Sequence, residues 1–201
     1  MMKLREITSA FANRVDQLSE LLGKMTWYLT LAMVMAGAYN ALVRSLSGWA
    51  HLDPSDGEIL QKTLYWIGEI ARQGSSNTFI ELQWYLFSVV FLIGGAYALK
   101  ADAHVRVDIL YNRLSVKGKA WINIVGTIIF LLPFCALMLW TSWPVVVDSW
   151  VRLEGSADPG GLPRYPLLTM VPLAFILLMV QGLATAAREV LQLLSSKDAR
   201  T

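Results

Sequence analysis

Few residues of this chain could do chemistry, and their positions decide what kind. The two histidines, His51 and His104, both fall outside the long apolar runs, whereas a membrane haem takes its axial ligands from inside the bilayer. The single cysteine, Cys135, lies within an apolar run. That excludes an internal disulfide, a CxxC redox pair and a cysteine zinc cage. No Gly-rich phosphate loop, Ser/His/Asp set or HExxH occurs. No Asp, Glu, Lys or Arg sits deep in an apolar run, where such residues mark proton and ion pathways. Charge gathers instead in one stretch between two apolar runs, "LKADAHVRVDILYNRLSVKGK" (Leu99–Lys119). It carries Lys100, Arg106, Arg113, Lys117 and Lys119 against Asp102 and Asp108, with His104 to Asp108 in strict polar–apolar alternation.

The elements that must position this stretch are legible from composition. The chain is 55% hydrophobic and only 16% charged, well below the charge of an ordinary soluble domain, about 25%. Four runs reach the roughly 20 residues that a helix needs to cross a bilayer core. They are about 25–44, 80–99, 121–143 and 166–187, with Trp and Tyr clustered near their ends as headgroup anchors. The fold class is therefore an all-α integral membrane protein forming a single membrane domain. Two further helices are predicted. In residues 1–24, Leu4, Ile7, Phe11, Val15, Leu18 and Leu22 recur at three- and four-residue spacings, which reads as an interfacial helix. In the loop after the first span, Asp56 is a candidate cap for an amphipathic helix over about 57–72. This helix either lies on the membrane or packs on a partner.

Lysine and arginine counts set the topology. The leader, the 100–120 loop and the tail hold twelve of the 17 bases; the other two loops hold Arg44, Lys62, Arg72, Arg152 and Arg164. The positive-inside rule then puts both termini and residues 100–120 in the cytoplasm, and 45–79 and 144–165 outside. A net charge of +2 gives no case for nucleic acid. Small residues four apart, among them Gly94/Ala98 and Gly182/Ala186, are candidate close helix crossings. The pattern fits a scaffold or accessory subunit, with neither catalytic residues nor a metal or cofactor site. Two alternatives stay open: a small electron-transfer or enzyme subunit in the membrane, or a self-sufficient four-span transporter.

"GGAYALKADAHVRVDILYNRLS" (Gly94–Ser115) and "EGSADPGGLPRYPLLTMVPLAFILLMVQG" (Glu154–Gly182) resemble the small membrane subunit, the Q subunit, of TRAP transporters. The resemblance covers about residues 25–190. The longer outer loop is similar to the branch often labelled mannitol/chloroaromatic or 2-oxo-acid type. The resemblance implies a tripartite system for organic anions. A periplasmic binding protein delivers substrate, a large M subunit carries the sodium-coupled movement, and the small subunit braces the large one in lipid.

Within that frame, His104, Arg106 and Asp108 are candidate structural or partner contacts on a helix that also pairs Asp102 with Arg106. Ser115 is the expected cap of the third span. The outer acids Asp53, Asp56 and Glu58 are candidate contacts for the binding protein, within a mildly acidic outer surface that also counts Glu69, Glu81, Asp148, Glu154 and Asp158.

Overall fold

The computed structural model describes residues 2–51, 59–74, 77–103, 111 and 114–198. Among these, regular structure is entirely helical. The first helix, α1 (Met2–Ser47), ends in a short turn, Gly48–His51, of 3₁₀ type. Helix α2 covers Ile59–Gly74 and α3 covers Asn77–Lys100. Helix α4 (Val116–Gly126) passes through one π turn (Thr127–Leu131) into α5 (Leu132–Arg152). Helix α6 covers Tyr165–Asp198. Four helical stretches are long and apolar enough to cross a membrane: α1, α3, the α4–α5 unit and α6.

The chain does not break between residue 24 and the first span, where an interfacial helix was expected to give way to a spanning one. Residues 2–47 contain no proline, and α1 continues through Gly23 and Gly37 for 46 residues, roughly 69 Å at 1.5 Å per residue. The predicted apolar face of the N-terminal arm is only partly used. Ala12, Val15 and Ser19 are buried, Ala12 and Val15 against Ala184 of α6, while Ile7, Phe11 and Leu18 point outward. Small side chains let the two backbones approach, which matters more to helix packing in lipid than apolar bulk does.

α1 and α3 run antiparallel in one register. Tyr39 meets Phe79 with ring centroids 4.7 Å apart, and Lys100 reaches Glu20 at the other end. Between these points Gly23 admits the Tyr97 ring: a Cβ there would lie 2.5 Å from Tyr97 Cδ2. α6 returns antiparallel to both α1 and the α4–α5 unit. Trp150 and Tyr165 stack edge to face at 4.6 Å, and Trp150 Nε1 donates to Thr169 Oγ1 at 2.8 Å.

The third span begins where Ser115 caps it. Its hydroxyl accepts from the Gly118 amide at 3.2 Å, satisfying one of the orphan donors of a helix start. The π turn ends at Leu131, two residues before Pro133, with the Leu132 amide reaching back to Thr127 O, and α5 continues through Pro144 to Arg152. The third helix thus extends beyond the apolar run 121–143 at both ends, by five residues before it and nine after it.

Candidate functional site

The side chains that hold this bundle together collect at its two ends. One end carries the loop between α5 and α6; the other carries both termini and the flanks of the 100–120 stretch.

At the loop end, α5 stops at Leu153, which takes a left-handed conformation (φ 49°), and the Glu154 amide bonds back to Ser149 O at 3.0 Å. The loop then folds over the first two turns of α3. Asn77 Nδ2 donates to Pro159 O at 3.2 Å and Thr78 Oγ1 donates to Gly160 O. Tyr85 OH lies 2.8 Å from Pro163 O and 3.1 Å from Leu162 O. At the centre, Glu81 is only 3% exposed. One carboxylate oxygen accepts from the Ser156 hydroxyl, the other from the Leu162 amide. Asn77, Thr78, Glu81 and Tyr85 share one face of α3 by helical spacing. Gly160 has φ 74°, the left-handed region that glycine enters without penalty. A Cβ on the next residue, Gly161, would collide with Ser156 and Glu81.

This clasp changes the charge count made from sequence. Glu81 was counted as part of an acidic outer surface; it is enclosed by the loop and committed to it. Asp148 is paired with Arg152 at 2.9 Å. Asp53, Asp56 and Glu58 lie outside the described residues.

At the termini end, Gln181 of α6 is fully buried. Its carbonyl accepts from Ser19 Oγ at 2.6 Å and its amide donates to Asp16 at 3.0 Å. Arg188 donates to the other Asp16 oxygen, with which it forms a salt bridge, and to the Ala12 carbonyl at 3.1 Å. Lys100, the last residue of α3, bridges to Glu20 at 2.9 Å, and Lys24 pairs with the same carboxylate at 3.2 Å. Asn123 donates to Glu189 at 2.7 Å and to Tyr111 OH at 3.1 Å. Four helices, α1, α3, α4 and α6, are therefore pinned around the entry to the charged stretch. Sequence reading missed the pairs between these helices, because each joins residues far apart in the chain.

α3 ends with Asp102 in the left-handed region (φ 55°). The Ala103 amide bonds to Ala98 O at 3.0 Å and the Asp102 amide to Leu99 O at 3.3 Å, the paired bonds of a Schellman stop. The helix expected to pair Asp102 with Arg106 therefore cannot include Asp102, whose backbone is not helical. His104, Arg106 and Asp108 lie outside the described residues.

The structure separates the small residues singled out from sequence. Gly182 is packed: a Cβ there would lie 2.5 Å from Leu131 Cδ2 and 3.4 Å from Thr127 Cγ2, both in the π turn. Ala186, one turn on, is buried. Gly94 faces open space. With Phe91, Gly95 and Ala98 of α3 and Phe175 and Leu178 of α6, it lines an apolar groove of about 570 Å³. Among the described residues, no three His, Cys, Asp or Glu side chains are grouped so as to hold a metal ion.

Residues 70–192 match the family described as "Tripartite ATP-independent periplasmic transporters, DctQ component". The match begins late in α2 and takes in α3 to α6, including both halves of the clasp, but leaves α1 outside, so it is shorter than the resemblance read from about residue 25. No curated protein and no solved structure matches the chain. Four candidate membrane-crossing helices and a match over more than half the chain lead to one assignment: this protein belongs to the DctQ family, the small permease component of tripartite ATP-independent periplasmic (TRAP) transporters.

Proposed function

We propose that this chain is the membrane scaffold of a sodium-coupled importer of organic anions. In this reading it sits in the inner membrane with both termini in the cytoplasm. It braces a large M subunit that moves the substrate, and a periplasmic binding protein supplies that substrate from the clasp end. The longer outer loop with α2 is the feature that favours the mannitol/chloroaromatic or 2-oxo-acid branch. The chain itself uses no cofactor and catalyses no reaction.

The observation that carries this reading is how the spans use their polar groups. Gln181, Ser19, Asp16, Asn123 and Glu189 all tie one helix to another. Phe91, Phe130, Trp140 and many other large apolar side chains point outward. Such a body offers a rigid apolar surface to lipid and to a second membrane protein.

The test is reconstitution. Proteoliposomes holding this chain, the large permease and the binding protein should take up substrate down a sodium gradient, and omission of this chain should abolish uptake and lower the yield of the large subunit. Substrate-dependent uptake by this chain alone would overturn the scaffold role in favour of a self-sufficient transporter. A haem Soret band in the purified protein would overturn it in favour of electron transfer.

A further inference from the structure

Helix α2 is amphipathic, and it turns its most apolar side away from the bundle. Its inward face is small at the closest approach, with Leu64 and Tyr65 half-buried beside it: Ala71 is buried, and Gly68 lies so close to the backbone of Trp49 and Ala50 that no side chain would fit. Its outward face is the apolar one. Ile59, Leu60, Trp66 and Ile70 are 86%, 67%, 61% and 70% exposed. Thr63 shares this face and returns its hydroxyl to Ile59 O at 2.8 Å, leaving its methyl outward.

Both ends of α2 are tied to membrane-crossing helices. The Gly48–His51 turn, against which α2 packs, directly follows α1, and only two residues separate Gly74 from the start of α3 at Asn77. This helix therefore sits at the level where two spans leave the bilayer. Its apolar face adds to the outward apolar surface of α1 and the turn that follows it, where Tyr39 and Leu42 of α1 and Trp49 of the turn are exposed.

We infer that α2 is an in-plane anchor: its Ile59–Trp66–Ile70 face lies in the leaflet at the loop end of the bundle, with the occupant being lipid. A protein partner would ask for more polar contacts, since interfaces carry about one hydrogen bond per 100–200 Å². This face offers one free-standing donor, the Trp66 indole, a group that favours the headgroup boundary. Lys62 lies on the flank of the stripe, exposed, where its ammonium can reach lipid phosphate while the face beside it is immersed. The anchor fixes the height of α1 and α3 in the bilayer and leaves the clasp uncovered above it. This inference rests on the membrane fold alone and stands or falls independently of the transport role.

The experiment is collision-accessibility EPR on the chain assembled with its large permease in nanodiscs. Single cysteines for spin-labelling are Ile59→Cys, Trp66→Cys, Ile70→Cys and Lys62→Cys in a Cys135→Ser background; native Cys135 is fully buried. The first three labels should collide more with oxygen, which partitions into lipid, than with a water-soluble nickel chelate. The Lys62 label should show the reverse. Greater nickel than oxygen accessibility on all faces would overturn the anchor, and so would labels at 59, 66 and 70 closed to both reagents, the mark of a protein partner. Trp66→Phe gives a second reading in otherwise native protein. It should remove part of the tryptophan emission quenched by lipids brominated near the headgroup; unchanged quenching would overturn the placement.

Discussion

Glu81 and Ser156 are 75 residues apart in sequence and share a hydrogen bond at the centre of the α3 clasp. The Glu81 carboxylate also holds the Leu162 amide, so one side chain fixes both limbs of the loop. Glu81→Ala leaves a hydroxyl and a half-buried amide without their acceptor, each a penalty of about 1–3 kcal/mol. We expect a loss of about 2–4 kcal/mol of stability, measured by denaturation in detergent, with new proteolytic cleavage between residues 154 and 163. Glu81→Gln keeps one acceptor and should cost less. Equal stability of the alanine variant would show that the loop holds itself.

Gly182 and Gly94 make a matched pair of probes. Gly182→Leu drives a side chain into Leu131, and overpacking of this kind costs about 1–3 kcal/mol. It should lower the unfolding midpoint of the isolated chain. Gly94→Leu fills an open groove and should leave that midpoint unchanged. If the large permease covers the groove, the same variant lowers co-purification; undiminished complex would assign the groove to lipid.

Asp16 and Arg188 are expected to depend on each other. Their side chains are 18% and 35% exposed, so the pair is partly screened. Arg188→Ala strands Asp16 and should destabilise by about 2–3 kcal/mol, below the 3–5 kcal/mol of a fully buried pair. Asp16→Asn combined with Arg188→Leu should recover most of that loss. A double variant as unstable as the sum of its parts would mean that the two residues act independently.

Arg106→Ala and Asp108→Ala should each reduce the yield of assembled complex and its transport, with substrate preference unchanged. Lys117→Ala, whose side chain is exposed at the start of α4, should do little. Should all three variants behave alike in a pull-down of the large permease, the order of residues in His104–Asp108 has no role beyond retaining charge in the cytoplasm.

Neutralising Asp53, Asp56 and Glu58 together should slow uptake at low salt more than at high salt, because charge at an interface rim governs encounter more than affinity. Initial uptake rates across a salt series check this. Rates that match those of the native chain throughout would remove this loop from the binding-protein contact.

What the sequence made legible follows from how many residues each feature needs. A membrane span is a property of one contiguous run, and all four runs were found from composition. The Ser115 cap depends on neighbours three residues away and was equally visible. The clasp was not, since Glu81 has the local appearance of any acid at a helix start and its partners are two spans distant along the chain. The apolar faces of α1 and α2 were legible as surfaces for the membrane or a partner, and their turning away from the bundle has a physical reason. Periodicity finds the side with the largest apolar residues, and in water that side turns inward. Here Ile7, Phe11, Ile59 and Ile70 turn outward while Ala12, Ser19, Gly68 and Ala71 turn in, because lipid removes the penalty for exposing the large ones.

The π turn at Thr127–Leu131 acts as a phase correction. Thr127 and Cys135 are both buried, yet eight residues of regular α-helix would rotate one from the other by about 80°. The wide turn absorbs roughly one extra residue and brings the outer half of the helix back into step with the inner half. The third span is in effect two helices on one axis, each with its own angular origin. Deleting one residue from 127–131 would remove the extra residue and let the turn close into regular α-helix with Cys135, Val146 and Ser149 still facing the bundle, whereas inserting one would leave Asn123 against Glu189 and swing those three out. Labelling of Cys135 by a membrane-permeant maleimide, slow in the native chain, would report that rotation directly.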